Sequence, residues 1–540
     1  MKCPRTCCVL ILAAAAAAVW LRLPRLDQRP MHGDEAVHAV KFGELLEKGY
    51  YRYDPNEYHG PTLNYFTLIP ARLSGMHKFK DLDEFALRIV PVFFGVLLVL
   101  LLLLLADGLG TPAASVAAIL TAVSPAFVFY SRYYIQETLL VCFSFGAIAS
   151  GYRYARSKDI RWALLTGIFL GLAHATKETF IISFGSMLLA LVLTLVIQGR
   201  QASSAFSINE IIKPRHVIAM AAAAVMVSAL FYSSFLTNPA GVWDSVRSYI
   251  AYINRTPQNN PHLHPWYYYL KMLMYSRYGS GPVWSESMIV ILALVGFVVA
   301  MTRKKVASFD ANLLTFIALY TLIMTAVYSV FPYKTPWCLL GFLQGMILLA
   351  GVGAVAVVKL LPKVLPRLIV LCLLVEGTVH LTWQAYLANY RFYADARNPY
   401  VYAHPVTDVI SIAQRVEQVA RVHPDGLAMR VDVICPGGDY WPLPWYLRRF
   451  EERSIGWYDK VDDRVPAAPV IIASDGAEPA LMKKLYELPP PGQRHLYVPL
   501  FDSYMQLRPQ VELRGYVTKD LWDAYRRQKA QSQQNQGTKK

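Results

Sequence analysis

Charge is what this sequence has least of. Aspartate, glutamate, lysine and arginine together make up 17% of the 540 residues, against about 25% in a soluble domain. That shortage excludes an ordinary soluble protein of this length, and the apolar runs confirm it. Leu97 to Leu105 is wholly apolar, and several windows approach the ~20 residues that cross a bilayer. Seven cysteines are present, but none forms a CxxC pair, which removes zinc-knuckle and redox-motif readings. Histidines never fall at HxxxH spacing, and no internal repeat is visible. The net charge of +16 is scattered between apolar segments and does not gather into one stripe, so nucleic acid is excluded as a partner.

What is there is 55% hydrophobic residues and a mean hydropathy of +0.31, arranged as about eleven candidate spans. These are Cys7–Leu23, Leu87–Leu105, Pro112–Tyr130, Leu139–Tyr154, Trp162–Ala175, Phe180–Ile197, Val217–Leu236, Met288–Met301, Leu313–Val330, Trp337–Val358 and Leu368–Leu387. The fifth and eighth are short and are expected to extend into their flanks. Lys2 and Arg5 before the alanine run also suit a cleaved signal peptide; a retained first helix is the preferred reading. The fold class is a polytopic α-helical membrane protein with a C-terminal soluble α/β domain.

With the N-terminus inside, Arg156, Lys158, Arg161, Arg200, Lys213, Arg215, Arg303, Lys304, Lys305, Lys359, Lys363 and Arg367 all fall in loops on one side, the positive-inside bias. The other segments, 24–86, 131–138, 176–179, 237–287, 331–336 and everything after about 388, are then outside. The expected domains are 1–387, a transmembrane domain with outer loops 24–86 and 237–287; 388–530, soluble and extracytoplasmic; and 531–540, a disordered polar tail. Loop 24–86 is expected to carry two surface helices, one over Glu35–Lys48 closed by Gly49, the other opening at Pro61. Asn259-Asn260-Pro261 marks a turn in the second loop. In the soluble domain, 431–434 and 469–472 read as strands, and 407–422 and 477–488 as helices.

Every chemically suggestive motif lands outside. Met31-His32-Gly33-Asp34-Glu35-Ala36 puts two acids side by side at the membrane surface. Asp34 suits a helix N-cap, and it also suits a base that takes a proton from an attacking hydroxyl. Glu137 follows the third span; with Arg132 it could form only a closing ion pair, or it could stand as a second carboxylate that orients an acceptor or a metal. Lys177 and Lys334, each in a short outer turn, could offer an ammonium to a phosphate. His32, Glu178, His262 and Tyr333 complete the candidates for substrate contact, and His59 stands in the same outer region. Three outer histidines with carboxylates could hold a divalent metal, although no ligand spacing supports one. Trp441-Pro442-Leu443-Pro444-Trp445-Tyr446 could stack on sugars, rest on the membrane rim or simply pack in a core.

Together these residues resemble the GT-C glycosyltransferases, among them protein O-mannosyltransferases and the aminoarabinose transferases of lipid A, over roughly residues 1–390. His32-Gly33-Asp34-Glu35-Ala36, Tyr58-His59-Gly60-Pro61 and Tyr440–Tyr446 are similar to a prokaryotic subfamily associated with flippase activity in glycosylation clusters. The resemblance implies sugar transfer from a polyprenyl-phosphate donor to a protein, lipid or glycan acceptor on the outer face of the plasma (inner) membrane. It implies Asp34 as catalytic base, with Glu35 beside it and Glu137 as the second acidic position. One departure stands out: several relatives carry a lysine directly before the proline of the first loop, where this chain has Gly60. Donor phosphate binding then falls to Lys177, Lys334, Arg132 or His59. The competing class is a lipid-linked sugar transporter or its accessory, which should place ionisable groups near mid-bilayer; Glu376 is the main such residue.

Overall fold

The computed structural model describes residues 4–55, 59–201, 213–254, 262–302, 309–490 and 492–537. Tyr58, Asn259-Asn260-Pro261 and Arg303–Lys305 lie outside these. All eleven expected spans are helical: α1 (Arg5–Arg22), α4 (Glu84–Leu100, prolonged by a 3-10 turn to Leu105), α5 and α6 (Thr111–Val123 and Pro125–Tyr130), α7 (Glu137–Ser157), α8 (Ile160–His174), α9 (Phe180–Gln201), α10 (Pro214–Tyr232), α13 (Ser287–Thr302), α14 (Ala311–Val330), α15 (Leu340–Leu360) and α16 (Val364–Tyr386). Among the described residues, seven of the helical segments are long and apolar enough to cross a membrane, and Thr111–Val123, Ile160–His174 and Ser287–Thr302 are shorter apolar helices. The chain is a multi-pass membrane protein. The third expected span is broken because Ser124 leaves helical geometry to cap the next turn, accepting from Phe127 N–H.

Small residues let the bundle close. Ala113, Ala114, Ala117 and Ala118 of α5 are fully buried, as is Ala18 of α1, with Ala14 and Ala15 nearly so. A Cβ on Gly296 of α13 would sit 2.0 Å from the Leu349 carbonyl oxygen of α15, and one on Gly353 2.0 Å from that of Leu292. Close backbone approach of this kind is how membrane helices associate when burial from water contributes nothing.

The first outer loop carries the two expected surface helices, α2 (Gly33–Lys48) and α3 (Thr62–Leu73). A capping box opens α2, and Gly49 closes it in the left-handed conformation with φ 77°. The second loop contributes α11 (Ala240–Asn254) and α12 (Tyr268–Met274).

The C-terminal domain holds α17 (Asp408–Ala420) and a six-stranded mixed sheet. Its strands are β1 (Val431–Ile434), β2 (Ile455–Tyr458), β3 (Val470–Ser474), β4 (Tyr497–Pro499), β5 (Met505–Arg508) and β6 (Val511–Thr518). The order is β2-β1-β3-β6-β4, with β5 also on β6; β1 runs parallel to β2 and β3, and β6 antiparallel to its partners. The tail expected to be disordered from Gln531 instead continues α18 (Lys519–Gly537). Its alanine, glutamine and lysine residues favour helix, and its root is fixed by buried Leu521 and by Tyr525, which donates to Gln418 at 2.9 Å. The aromatic stretch proves to be packing: Trp445 is fully buried and donates to Glu84 at 2.8 Å, Met31 N–H donates to the Tyr446 hydroxyl at 2.8 Å, and Arg448 donates to the Leu82 carbonyl.

Gly296→Ala places a methyl against a backbone oxygen that cannot rotate away. It should lower stability in detergent by about 1–3 kcal/mol, the usual cost of overpacking. Gly185→Ala, where nothing lies within 4 Å, should leave the melting temperature unchanged. Equal melting temperatures for both variants would contradict the close-packed reading.

Candidate functional site

The loops joining the helices gather at two ends of the bundle. At one end Arg153 pairs with Asp107 at 2.7 Å, Arg156 with Asp310 at 3.5 Å, and Asp310 N–H donates to the Gly108 carbonyl. At the other, the outer candidates meet. The turns expected outside, 32–35, 59–62, 131–137, 176–179, 262–264 and 331–337, hold one another through the contacts described next.

Asp34 stands on the first turn of α2, but it is not the cap. His32 is: its Nδ1 accepts from Asp34 N–H at 3.0 Å, while Glu35 Oε2 accepts from His32 N–H at 3.0 Å. The Asp34 carboxylate is therefore left free of capping, and its side chain is 52% exposed. Burial of its surroundings opposes its charge, yet the fields of His32, His38, His59 and Lys177 outweigh that and hold its pKa below the ordinary aspartate value.

Glu35 points the opposite way and is fully buried. Arg88 Nε and Nη2 each donate to it at 2.8 Å, Tyr134 N–H donates at 2.8 Å, and Arg29 lies 3.8 Å away. Burial would raise its pKa, but Arg88 and Arg29 bring it down to about 2. The expectation of a catalytic Glu35 is thus corrected: with its lone pairs already occupied, it anchors the loop. Arg88 also donates to the Leu26, Arg29 and Pro30 carbonyls, tying α4 to the stretch that precedes Asp34.

Glu137 opens α7 and is buried. Its partner is Lys177, joined to it by a short ion pair, and not Arg132. Lys177 thus bridges the second acidic position and the field on Asp34. Arg132 is committed elsewhere, donating to the carbonyls of Arg22, Pro24 and Arg25 at 2.7–3.0 Å and to the Tyr390 hydroxyl. It satisfies the carbonyls beyond α1, which removes it from the phosphate-binding candidates.

His59 Nδ1 lies 2.8 Å from Glu178, and Tyr53 donates to the same carboxylate at 3.1 Å. Burial disfavours a charged Glu178, but His59 and nearby N–H groups bring its pKa to about 2. Gly60 is explained by contact: a Cβ there would lie 2.3 Å from the Ala175 carbonyl oxygen, and Thr62 N–H donates to that oxygen. No lysine side chain fits where the first loop rides on the 175–177 turn, and that turn supplies Lys177.

The second loop joins through a bridge between Leu263 and Tyr333, with Lys334 N–H donating to the His262 carbonyl at 2.9 Å. Lys334 Nζ donates to the carbonyls of Phe331 and His264, and burial lowers its pKa. His262 Nδ1 sits 2.6 Å from the Tyr402 hydroxyl. His32 lies beside Tyr133, Trp337 and His404, with ring centroids 5.5–5.9 Å apart. It is buried and its Nδ1 caps α2, while its Nε2 meets no hydrogen-bond partner among the described residues.

His38, Arg88 and Tyr402 were missed. His38 is one helical turn after Asp34, and the i, i+4 spacing on α2 was the available signal. Its ring lies 6.0 Å from that of His59. Burial lowers its pKa to about 3, so it faces Asp34 as a neutral imidazole. Among the described residues, no three His, Cys, Asp or Glu side chains cluster so as to hold a metal. Below Glu137, an apolar cleft runs between α7, α9, α14 and α15, lined by Leu140, Phe145, Tyr320, Trp337 and Leu348.

The helical bundle carries a carboxylate on a surface helix, a buried Lys–Glu pair beside it and an apolar cleft beneath, and it shares its fold with the solved structures named below. Residues 65–239 match the family described as dolichyl-phosphate-mannose-protein mannosyltransferase, a stretch that includes Glu137 and Lys177. No protein of curated function matches the chain by sequence. Among solved structures, ArnT from Cupriavidus metallidurans in the apo state is 15% identical with a TM-score of 0.60, covering 94% of this chain and 98% of that one. The same protein bound to undecaprenyl phosphate covers 95% and 98% at the same identity and TM-score. The Archaeoglobus fulgidus oligosaccharyltransferase is 12% identical with a TM-score of 0.56 over 83% of this chain, which spans 64% of that protein's length.

Removing Glu35 would leave Arg88 buried and unpaired. Glu35→Ala should cost about 3–5 kcal/mol, read as loss of thermal stability in detergent near neutral pH. Because the folded Glu35 pKa lies below its ordinary value of 4.5, its contribution is complete above about 4.5 and is lost as pH falls towards about 2. The gap between wild type and variant should narrow over that window. A gap that is absent at neutral pH, or that widens on acidification, would refute the anchoring role.

Proposed function

We propose that the chain is a glycosyltransferase that moves a sugar from a polyprenyl-phosphate donor to a hydroxyl-bearing acceptor. The acceptor class is a protein, lipid or glycan. The observation that carries this reading is the Asp34 carboxylate: free of capping, half exposed, ionised by its surroundings and within the field of Lys177. Support comes from the mannosyltransferase-family match across residues 65–239 and from the fold shared with an ArnT structure bound to undecaprenyl phosphate. The positive-inside bias supports a site and C-terminal domain on the extracytoplasmic face of the plasma (inner) membrane.

In this mechanism the isoprenoid lies in the apolar cleft and its phosphate reaches the Lys177–Glu137 pair. The acceptor hydroxyl gives its proton to Asp34 as its oxygen bonds to the anomeric carbon. The bond from that carbon to the phosphate oxygen breaks, and the electron pair leaves on the lipid phosphate. Lys177 meets the charge that develops there, with Lys334 and His59 as further donors. No step calls for a divalent metal.

The test is purified protein with polyprenyl-phosphate sugars, scoring transfer and donor binding separately. Asp34→Asn should lower transfer by about 10²–10⁴-fold, the usual contribution of a general base, while donor binding survives. Lys177→Ala should weaken donor binding about 10–100-fold, the worth of a charged hydrogen bond. Since Asp34 must be ionised to act and its pKa is lowered, the acid limb of the transfer profile should lie on the acid side of an ordinary aspartate's, with activity rising as pH climbs through it. Wild-type turnover by Asp34→Asn would remove the base assignment. Lipid movement between leaflets with no transfer to any acceptor would establish the transporter instead.

A further inference from the structure

Glu376 has no place in the site. It stands at the middle of α16, the 23-residue helix Val364–Tyr386, whose long apolar segment is only 6% buried in the protein. Its side chain is exposed, so within a bilayer it faces hydrocarbon. A carboxyl group there costs several kcal/mol unless a partner meets it, and residues of this kind mark interaction or transport sites. The bundle offers no path beside it: one turn position away, Gly377 is packed on Met288, where a Cβ would lie 2.2 Å from the sulfur.

The residues sharing the face of Glu376 follow 3–4 spacing: Ile369, Cys372, Glu376, Val379, Trp383 and Tyr386. All are exposed. The spacing suits the seam of a two-helix pair, with a single ionisable residue at its centre, the device that fixes register and partner number in such pairs. One turn further on, His380 is exposed too. Its ring orientation is set from inside. Gln384 is buried, its Oε1 accepts from Ser285 N–H at 3.1 Å, and its Nε2 donates to the Val283 carbonyl at 3.1 Å and to His380 Nε2 at 2.8 Å. With Nε2 accepting, the proton of the neutral ring sits on Nδ1, where it can be donated elsewhere.

One helix face therefore carries an acceptor with no partner among the described residues and, a turn away, a donor. We infer that the exposed face of α16 is the dimerisation surface of a second copy of this chain, with Glu376 of each protomer accepting from the other's His380 across a two-fold axis normal to the membrane. Such an axis makes each contact occur twice, so one stripe meets both needs without a foreign partner. The inference is independent of the glycosyl-transfer reading.

Cys372 provides the test, since it lies on the seam, one turn from Glu376, and is exposed. Full-length protein in lipid nanodiscs or native membranes, treated with a short bis-maleimide, should give a covalent dimer, and Cys372→Ser should abolish it. Glu376→Ala should weaken dimerisation about tenfold, the effect expected of two interhelical hydrogen bonds in a membrane, and His380→Ala similarly. Glu376→Gln, which still accepts, should retain most of it. The thermal stability of the Glu376 and Cys372 variants should be unchanged, because those side chains are external. A monomer at high protein-to-lipid ratio, a cross-link that survives Cys372→Ser, dimerisation unaffected by Glu376→Ala, or Cys372 cross-linking to a different membrane protein would each overturn the proposal.

Discussion

The buried ion pair between Glu35 and Arg88 is the constraint on which the site depends. A surface loop that leaves the membrane has no reason of its own to hold a reactive carboxylate still. Here the adjacent residue is driven inward. Two guanidinium nitrogens at 2.8 Å, a backbone N–H at 2.8 Å and a second arginine at 3.8 Å hold it there. Helical geometry separates neighbouring side chains by about 100°, so fixing Glu35 inward turns Asp34 outward. The same carboxylate completes the capping box with His32, so the helix start, the loop path and the direction of Asp34 share one cause. A lone buried ion pair is weak evidence for net stability. What it supplies here is position, because leaving either partner unpaired is the costly alternative.

The elements were legible because their signals are strong and local. Apolar runs gave the spans, Gly49 and Pro61 gave the ends of the surface helices, and the strands at 431–434 and 469–472 read correctly from their β-branched content. The break at Ser124 was missed because one capping serine interrupts an otherwise continuous apolar run. The helical tail was missed because polar composition suggests disorder, while propensity and an anchored root favoured helix.

The site was legible in membership more than in roles. Asp34, Glu137, Lys177, Glu178, His59, His262, Tyr333 and Lys334 were read from motifs, and the fold brings their segments to one end. Pairing was not readable. Arg132 and Glu137 are five residues apart and looked like partners, yet Arg132 serves carbonyls of the 22–25 turn and Glu137 takes a lysine 40 residues away. Which of two adjacent acids is inward depends on Arg88, more than fifty residues on. Gly60 looked like a loss of function at a lysine position; the structure gives it a steric cause, since the loop backbone lies against Ala175 and leaves no room for any side chain.

The C-terminal domain closes the same loop from the opposite side. Met31 N–H is held by Tyr446, Gly33 sits 3.6 Å from the Trp441 Cβ measured from where its own Cβ would be, and Trp445 reaches Glu84 at the start of α4. The residues just before Asp34 are thus gripped between Arg88 of the membrane bundle and the aromatic stretch of the soluble domain. An aromatic motif that suggested sugar stacking is consumed by this contact, for a fully buried indole cannot also present its face to a ligand. The coupling runs in both directions: the C-terminal part of the chain meets the bundle at the loop that carries the carboxylate, as well as where Tyr133 meets His404 at 3.1 Å and Tyr400 donates to Glu286 at 2.8 Å, so a change that loosens it also frees Asp34 to move.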